Sequence, residues 1–194
     1  RKNIQLTFVQ ESEKFAPGLS ALRTLTLEYP DGPHDAEAMA FLPDGTLWIV
    51  TKEIFLSRFE SRPARVYTLS KAKWNAGGRQ SLTFAGELPF PKWLSEDLFF
   101  MQVPTDMAVN ARRQVAGFLT YGRVVEIPLK SLRDLKHAGE WQRGLDFEIV
   151  TIKALAQQES LAYSPSAPDR IFWSTEYRAP EAPIFSMTCA RPKP

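Results

Sequence analysis

Short apolar runs, each broken off by a turn residue, set the pattern of this chain. Apolar and polar positions alternate, or apolar ones run together, over roughly four to eight residues at a time, which is the reach of a strand. Most of the fifteen Pro and ten Gly fall between these runs and supply the turns. The pattern predicts strands over 4–9, 22–28, 37–42, 46–51, 65–69 and 82–86, and then over 106–109, 114–120, 124–128, 147–152, 160–163, 170–175 and 183–187. Helical spacing is confined to 129–141, where Leu132 and Leu135 lie three apart. The implied fold class is all-β. Leu42-Pro43-Asp44-Gly45-Thr46 separates two of the strands, and a Pro-fixed φ followed by residues tolerant of positive φ predicts a hairpin there.

One motif occurs three times. Asp35-Ala36-Glu37-Ala38-Met39-Ala40 leads through a turn to Thr46-Leu47-Trp48-Ile49-Val50-Thr51-Lys52. Thr105-Asp106-Met107-Ala108-Val109-Asn110 leads to Val115-Ala116-Gly117-Phe118-Leu119-Thr120-Tyr121, and Gln158-Glu159-Ser160-Leu161-Ala162-Tyr163 to Arg170-Ile171-Phe172-Trp173-Ser174-Thr175-Glu176. Each copy has an acid, a short apolar strand, a polar turn, and a second strand that ends in Thr followed by a large polar residue. The spacing from acid to Thr is the same in the first two copies and two residues longer in the third. A further strand follows each copy. A repeated unit of a few antiparallel strands is the signature of a β-propeller, whose blades carry four strands each; the alternative is a sandwich or barrel with accidentally similar hairpins. On the propeller reading, residues 1–194 form a single domain of about three to four blades. A closed ring needs four or more, so the expectation is an N-terminally truncated propeller that requires an upstream segment, a second chain or a swapped strand to close.

Composition narrows the classes. Hydrophobic residues make up 44%, as in a globular chain, and the 24 Lys and Arg against 22 Asp and Glu leave a formal charge of +2, too little for a nucleic-acid binder. No apolar run approaches the roughly 18 to 20 residues that span a bilayer, and Lys2–Ser12 alternates rather than forming the apolar core of a secretory signal. The single cysteine, Cys189, rules out an internal disulfide framework and reads as an idle thiol. There is no Gly-x-Ser-x-Gly elbow, phosphate loop or His-Glu-x-x-His.

The stretch Tyr29–Ala38 together with Asp44–Lys52, the pairs Thr105-Asp106 and Gln158-Glu159, and the ends Leu119-Thr120-Tyr121 and Ser174-Thr175-Glu176 resemble the bacterial phytase-like, or esterase-like, β-propellers, and more loosely the gluconolactonase-type propellers. The resemblance spans about residues 22–188. It implies a six-bladed ring in the full protein, a secreted or periplasmic location, and hydrolysis of an ester or phosphoester with a bound metal. The chain departs from the pattern at Glu53, where a neutral or basic residue is expected, and in lacking an Asp/Asn-rich segment before Arg1.

Candidate chemistry comes from the repeat. Inner strands of a propeller line its channel, so Asp35, Glu37, Asp106 and Glu159 would sit at equivalent places around one axis. Like charges so gathered need compensation. A hard cation with oxygen ligands, Ca²⁺ before Mg²⁺, would give it; alternatively each acid accepts backbone N–H bonds and staples neighbouring blades. Lys52, Tyr121 and Glu176, just past the terminal Thr residues, form a second set, and varied chemistry at a repeated position suits function better than scaffold. His34, beside Asp35, is a candidate general base, though a turn histidine satisfied locally is the simpler reading. The basic stretch 71–79 carries Lys71, Lys73 and Arg79 and reads as a solvated loop. Trp48, Phe118 and Trp173 occupy matching strand positions and are expected in the core, whereas Trp74, Trp93 and Trp141 lie in loops that could line a binding face. Two functions are compatible with this set: a metal-dependent hydrolase, or a non-catalytic propeller that holds a small-molecule or protein ligand on its loop face.

Overall fold

A strand that is apolar on both faces needs a sheet packed on each side of it, and the middle strands of this chain are of that kind. The computed structural model describes residues 3–10, 18, 20–176 and 182–189; of the alternating N-terminal stretch, Lys2, Glu11 and Ser12 lie outside them. In chain order the strands are β1 (Asn3–Val9), β2 (Ala21–Glu28), β3 (Ala36–Phe41), β4 (Leu47–Thr51), β5 (Ile54–Phe55), β6 (Glu60–Ser61), β7 (Ala64–Leu69), β8 (Gly78–Ser81), β9 (Thr83–Leu88), β10 (Asp106–Asn110), β11 (Val115–Leu119), β12 (Arg123–Pro128), β13 (Glu148–Thr151), β14 (Gln158–Tyr163), β15 (Arg170–Thr175) and β16 (Ile184–Thr188). They form four sheets in succession, β1-β2-β8, β3-β4-β7-β9, β10-β11-β12-β13 and β14-β15-β16, with β5 and β6 as a separate small hairpin. Pairing among these strands is antiparallel except between β2 and β8. The protein is all-β.

Three apolar cores lie between the four sheets. Leu25 and Leu27 of the first sheet pack on Leu47, Ile49, Tyr67 and Leu69 of the second. Trp48, Val50, Val66 and Leu88 of the second pack on Met107, Ala116, Phe118, Val125 and Ile127 of the third. Leu119 and Val124 of the third pack on Leu161, Ile171 and Trp173 of the fourth. Strand β4 is buried at every position, because Leu47 and Ile49 face one neighbour and Trp48 and Val50 the other. The first strands of the last three sheets lie side by side, β10 against both β3 and β14.

The second strands show where the repeat misleads. Counting back from the terminal threonines, Ile49, Phe118 and Trp173 share one offset and all face the preceding sheet. Trp48 is one residue further back and faces the following sheet. Trp48 therefore does not match Phe118 and Trp173, since a shift of one residue along a strand changes the face.

The predicted hairpin is present. Gly45 has φ of 82°, its N–H donates to the Leu42 carbonyl at 2.8 Å, and Asp44 accepts from the Thr46 N–H at 2.8 Å. The helical stretch is a 3-10 segment, Ser131–Glu140, kinked at Asp134, and it buries Leu132, Leu135 and Ala138. Two features had no apolar signal. The helix α1 (Lys71–Ala76) is capped by the Ser70 hydroxyl, and β8, of sequence Gly-Arg-Gln-Ser, exists only by lying along the edge of β2. The loop tryptophans turn inward: Trp74 stacks on Phe8 and donates to the Gly45 carbonyl, and Trp93, in helix α2 (Phe90–Trp93), stacks on both Trp141 and Phe147.

A part-buried cluster of three polar side chains ties the third sheet to the fourth. Glu126 is buried and accepts two bonds of 2.7 Å from Arg113 and one of 2.7 Å from the Tyr163 hydroxyl. Pairing and hydrogen bonding of this kind offset the desolvation of a buried carboxylate. To reach Glu126 the phenol crosses Gly117 so closely that a Cβ there would lie 2.4 Å from its oxygen. Gly117→Ala is accordingly expected to cost about 1 to 3 kcal/mol as overpacking, read from urea unfolding. Because the clash is with the hydroxyl, adding Tyr163→Phe should cost less in the Gly117→Ala background than in the wild type. Equal costs in both backgrounds would refute the close approach.

Candidate functional site

The first strands of the last three sheets bring their starting residues to one end of the sheets, where the second strands also finish. The repeated threonines close those ends. Thr51 accepts from the Arg65 N–H at 2.8 Å and Thr120 from the Arg123 N–H at 3.2 Å, while Thr175 donates to the Gln157 carbonyl at 2.8 Å. Buried Gln158 and Thr105 then lock the third sheet to the fourth: the Gln158 amide donates to the Thr120 carbonyl at 2.7 Å, and the Thr105 hydroxyl to the Gln158 carbonyl at 2.6 Å. The residue after each threonine is thereby held in a fixed place.

The acids of the repeat are not equivalent. In β3 and β14 the pairing register skips a residue at Glu37 and at Glu159, and a residue left unpaired in this way re-aims its side chain. Asp106 sits in unbroken register opposite Leu119. Its two carboxylate oxygens accept from the Met107 N–H at 2.8 Å and, across to the fourth sheet, from the Leu161 N–H at 2.6 Å. At Asp106 the geometry is that of a staple between sheets. Burial raises its carboxyl above the ordinary range although the two N–H bonds act the other way.

Glu37 and Glu159 instead belong to a hydrogen-bonded chain that crosses three sheets. The Lys52 ammonium donates to Glu37 at 2.6 Å and to the Tyr121 hydroxyl at 2.9 Å, and that hydroxyl donates to Glu159 at 3.0 Å. Burial pulls the Lys52 ammonium down, but its bonds to Glu37 and Tyr121 outweigh this and hold it above the usual lysine range. Burial likewise raises the Tyr121 phenol, against the pull of Lys52. Glu159 is raised first by burial and then by the charge of Glu37, with Lys52 opposing and Glu176 adding to the rise. Glu176 itself follows Thr175, with its N–H on the Gln157 carbonyl. Of the second set, Lys52 and Tyr121 meet directly, and Glu176 enters through its charge.

Lys52 and Tyr121 also line a cavity of about 630 Å³, which Asp35 borders. Ile54, Leu56, Phe100, Met101 and Leu155 make its walls apolar. The walls come from the β5–β6 hairpin, from the loop before β10 and from the loop before β14. At the hairpin tip Phe59 takes a left-handed conformation, φ 51°, and its ring, 77% exposed, meets Phe99 edge to face.

His34 stands apart from this cavity. Its ring nitrogens lie 3.1 Å from Asp31 and 3.3 Å from Glu53, and the Tyr67 hydroxyl is 2.8 Å from Nε2. Arg65 joins the same group through Asp31 at 2.7 Å. Glu53, the departure from the family pattern, is thus a partner of His34. Asp31, three residues before His34, is the kind of local partner that a turn histidine suggests, whereas Glu53, Arg65 and Tyr67 join it only through folding and left no sign in the sequence.

Calcium takes six to eight oxygen ligands, and the acids do not offer them. Both oxygens of Asp106 are taken by N–H donors, Glu37 is bound to an ammonium, and Glu159 to a phenol. Among the described residues no three His, Cys, Asp or Glu are placed to hold a metal ion. Lys52 places positive charge beside Glu37 and Glu159, and the bonded oxygens of Asp106, Glu37 and Glu159 do not form a calcium shell.

Comparison with known proteins leaves the family open. No family model matches the chain, and no curated protein sequence matches it.

Two measurements check these assignments. The raised carboxyl of Glu159 favours folding when protonated, so its penalty is absent below the ordinary value of 4.5 and develops as pH rises through the folded value. Glu159→Gln, which keeps an acceptor for Tyr121, should therefore melt with the wild type near pH 4 and above it near pH 8. Asp106→Asn turns an N–H donor toward an N–H and should destabilise by about 1 to 3 kcal/mol at both; a Glu159→Gln variant that is less stable than the wild type at pH 8 would contradict the charge argument. Separately, a chelator should leave the wild-type melting temperature unchanged, and a fall reversed by Ca²⁺ would contradict the donor-set argument.

Proposed function

We propose that the chain is a run of three to four β-propeller blades that acts as a ligand-binding module, with its site in the cavity over Lys52 and Tyr121. Support for the propeller comes from four sheets packed face to face in sequence order, with β3, β10 and β14 adjacent on the inside, as inner strands of neighbouring blades are. Support for binding comes from a single observation: the chain Glu37, Lys52, Tyr121, Glu159 is assembled from three sheets beneath an apolar-walled cavity. A concave, mostly apolar surface with a few convergent polar groups is the usual form of a small-molecule site.

The protonation states favour binding over catalysis. A lysine held charged and a tyrosine held protonated are poor nucleophiles at neutral pH. A hydrolase working without a metal would rest on Glu159, whose raised carboxyl, hydrogen-bonded to Tyr121, is suited to proton transfer. A neutral, apolar fluorophore such as N-phenyl-naphthylamine separates occupancy from non-specific adsorption. Its emission should rise saturably with the wild type, and Ala154→Trp, at an exposed position on the cavity wall, should abolish the rise without lowering the melting temperature. Undiminished binding by that variant would overturn the assignment of the site.

A further inference from the structure

Charge around the cavity restricts what can enter it. Lys52 uses two N–H bonds on Glu37 and Tyr121; the third has no partner among the described residues, and the side chain remains 12% exposed where it lines the cavity. One donor of a cavity-lining side chain is therefore left over. The ammonium is not an attractor of anions, however. Asp35 borders the cavity, Glu37 is in contact with Lys52, and Glu159 and Glu176 are close enough to act on one another. Glu37 bonds to Lys52, Glu159 lies within reach of its charge and Glu176 acts on Glu159, so once Glu159 ionises the carboxylates near the ammonium outnumber it.

Resting on the reading of the cavity as a binding site, we infer that it selects an uncharged, largely apolar molecule that presents one carbonyl oxygen to Lys52, and that it rejects carboxylates and phosphates. The apolar walls remove the ligand's hydrocarbon from water. A neutral acceptor takes the third N–H of Lys52 without adding charge. An anion would gain the same hydrogen bond but would be held among carboxylates in a partly desolvated place, where like charges repel strongly. This runs against the phosphoester substrate that the family resemblance implies.

Displacement of the naphthylamine dye by methyl hexyl ketone, octanoate and octyl phosphate, which carry similar hydrocarbon, tests it. The ketone should displace the dye at concentrations at least tenfold lower than either anion at pH 8. Glu37→Gln removes one negative charge, so the affinity for octanoate relative to that for the ketone should rise several-fold. Lys52→Met should weaken the ketone roughly tenfold or more, as expected for loss of a hydrogen bond to a charged group, and circular dichroism must first show that this variant is folded; if it is not, the Glu37→Gln comparison decides alone. Octanoate equal to or better than the ketone on the wild type, or a Glu37→Gln effect that is the same for both, would overturn the selectivity. A dye that binds and is displaced by all three probes alike would leave the cavity assignment standing and remove this inference. A dye that never binds would remove the cavity assignment itself.

Discussion

Burial on both faces of the middle strands is the constraint on which the rest of the architecture depends. With Leu47 and Ile49 turned to one side of β4 and Trp48 and Val50 to the other, the second sheet is stable only between two neighbours. Strand β11 repeats the arrangement, with Ala116 and Phe118 on one side and Leu119 on the other. Removing a Leu or Ile side chain from water is worth about 1.5 to 3 kcal/mol, and the three cores collect many such residues. Four sheets stacked in order are the outcome, and the same stacking brings β3, β10 and β14 together.

Once those strands are adjacent, their ends can cooperate. The carboxylates at the two ends of the chain Glu37, Lys52, Tyr121 and Glu159 would repel if left alone, and the ammonium between them offsets this. Three sheets contribute, so the network forms only when they are packed. Asp106 serves the packing instead, through its bond to the Leu161 N–H. The repeat thus supplies one acid per unit, and the local register decides whether it becomes a staple or part of the polar chain.

Much of this was legible in the residues. The apolar runs place the strands of the last three sheets, the Pro-Asp-Gly turn places a hairpin, and the variation after each terminal Thr singles out Lys52 and Tyr121. Other features had no local signal. The polar β8 depends on the open edge of β2, and the Arg113, Glu126 and Tyr163 cluster joins residues of two sheets. Spacing even pointed the wrong way: the equal intervals of the first two copies suggest that Glu37 and Asp106 correspond, whereas the break in register is shared by Glu37 and Glu159.

The sequence by itself determined that the chain is a series of antiparallel meanders and which side chains arrive at the strand ends, because period-two alternation and turn chemistry are local properties. Only the tertiary structure decided which of those side chains meet. A single skipped residue in β3 or β14 redirects a carboxylate, and whether it finds an ammonium, a phenol or a backbone N–H depends on how neighbouring sheets are set against one another, which is fixed by non-local packing rather than by any interval along the chain.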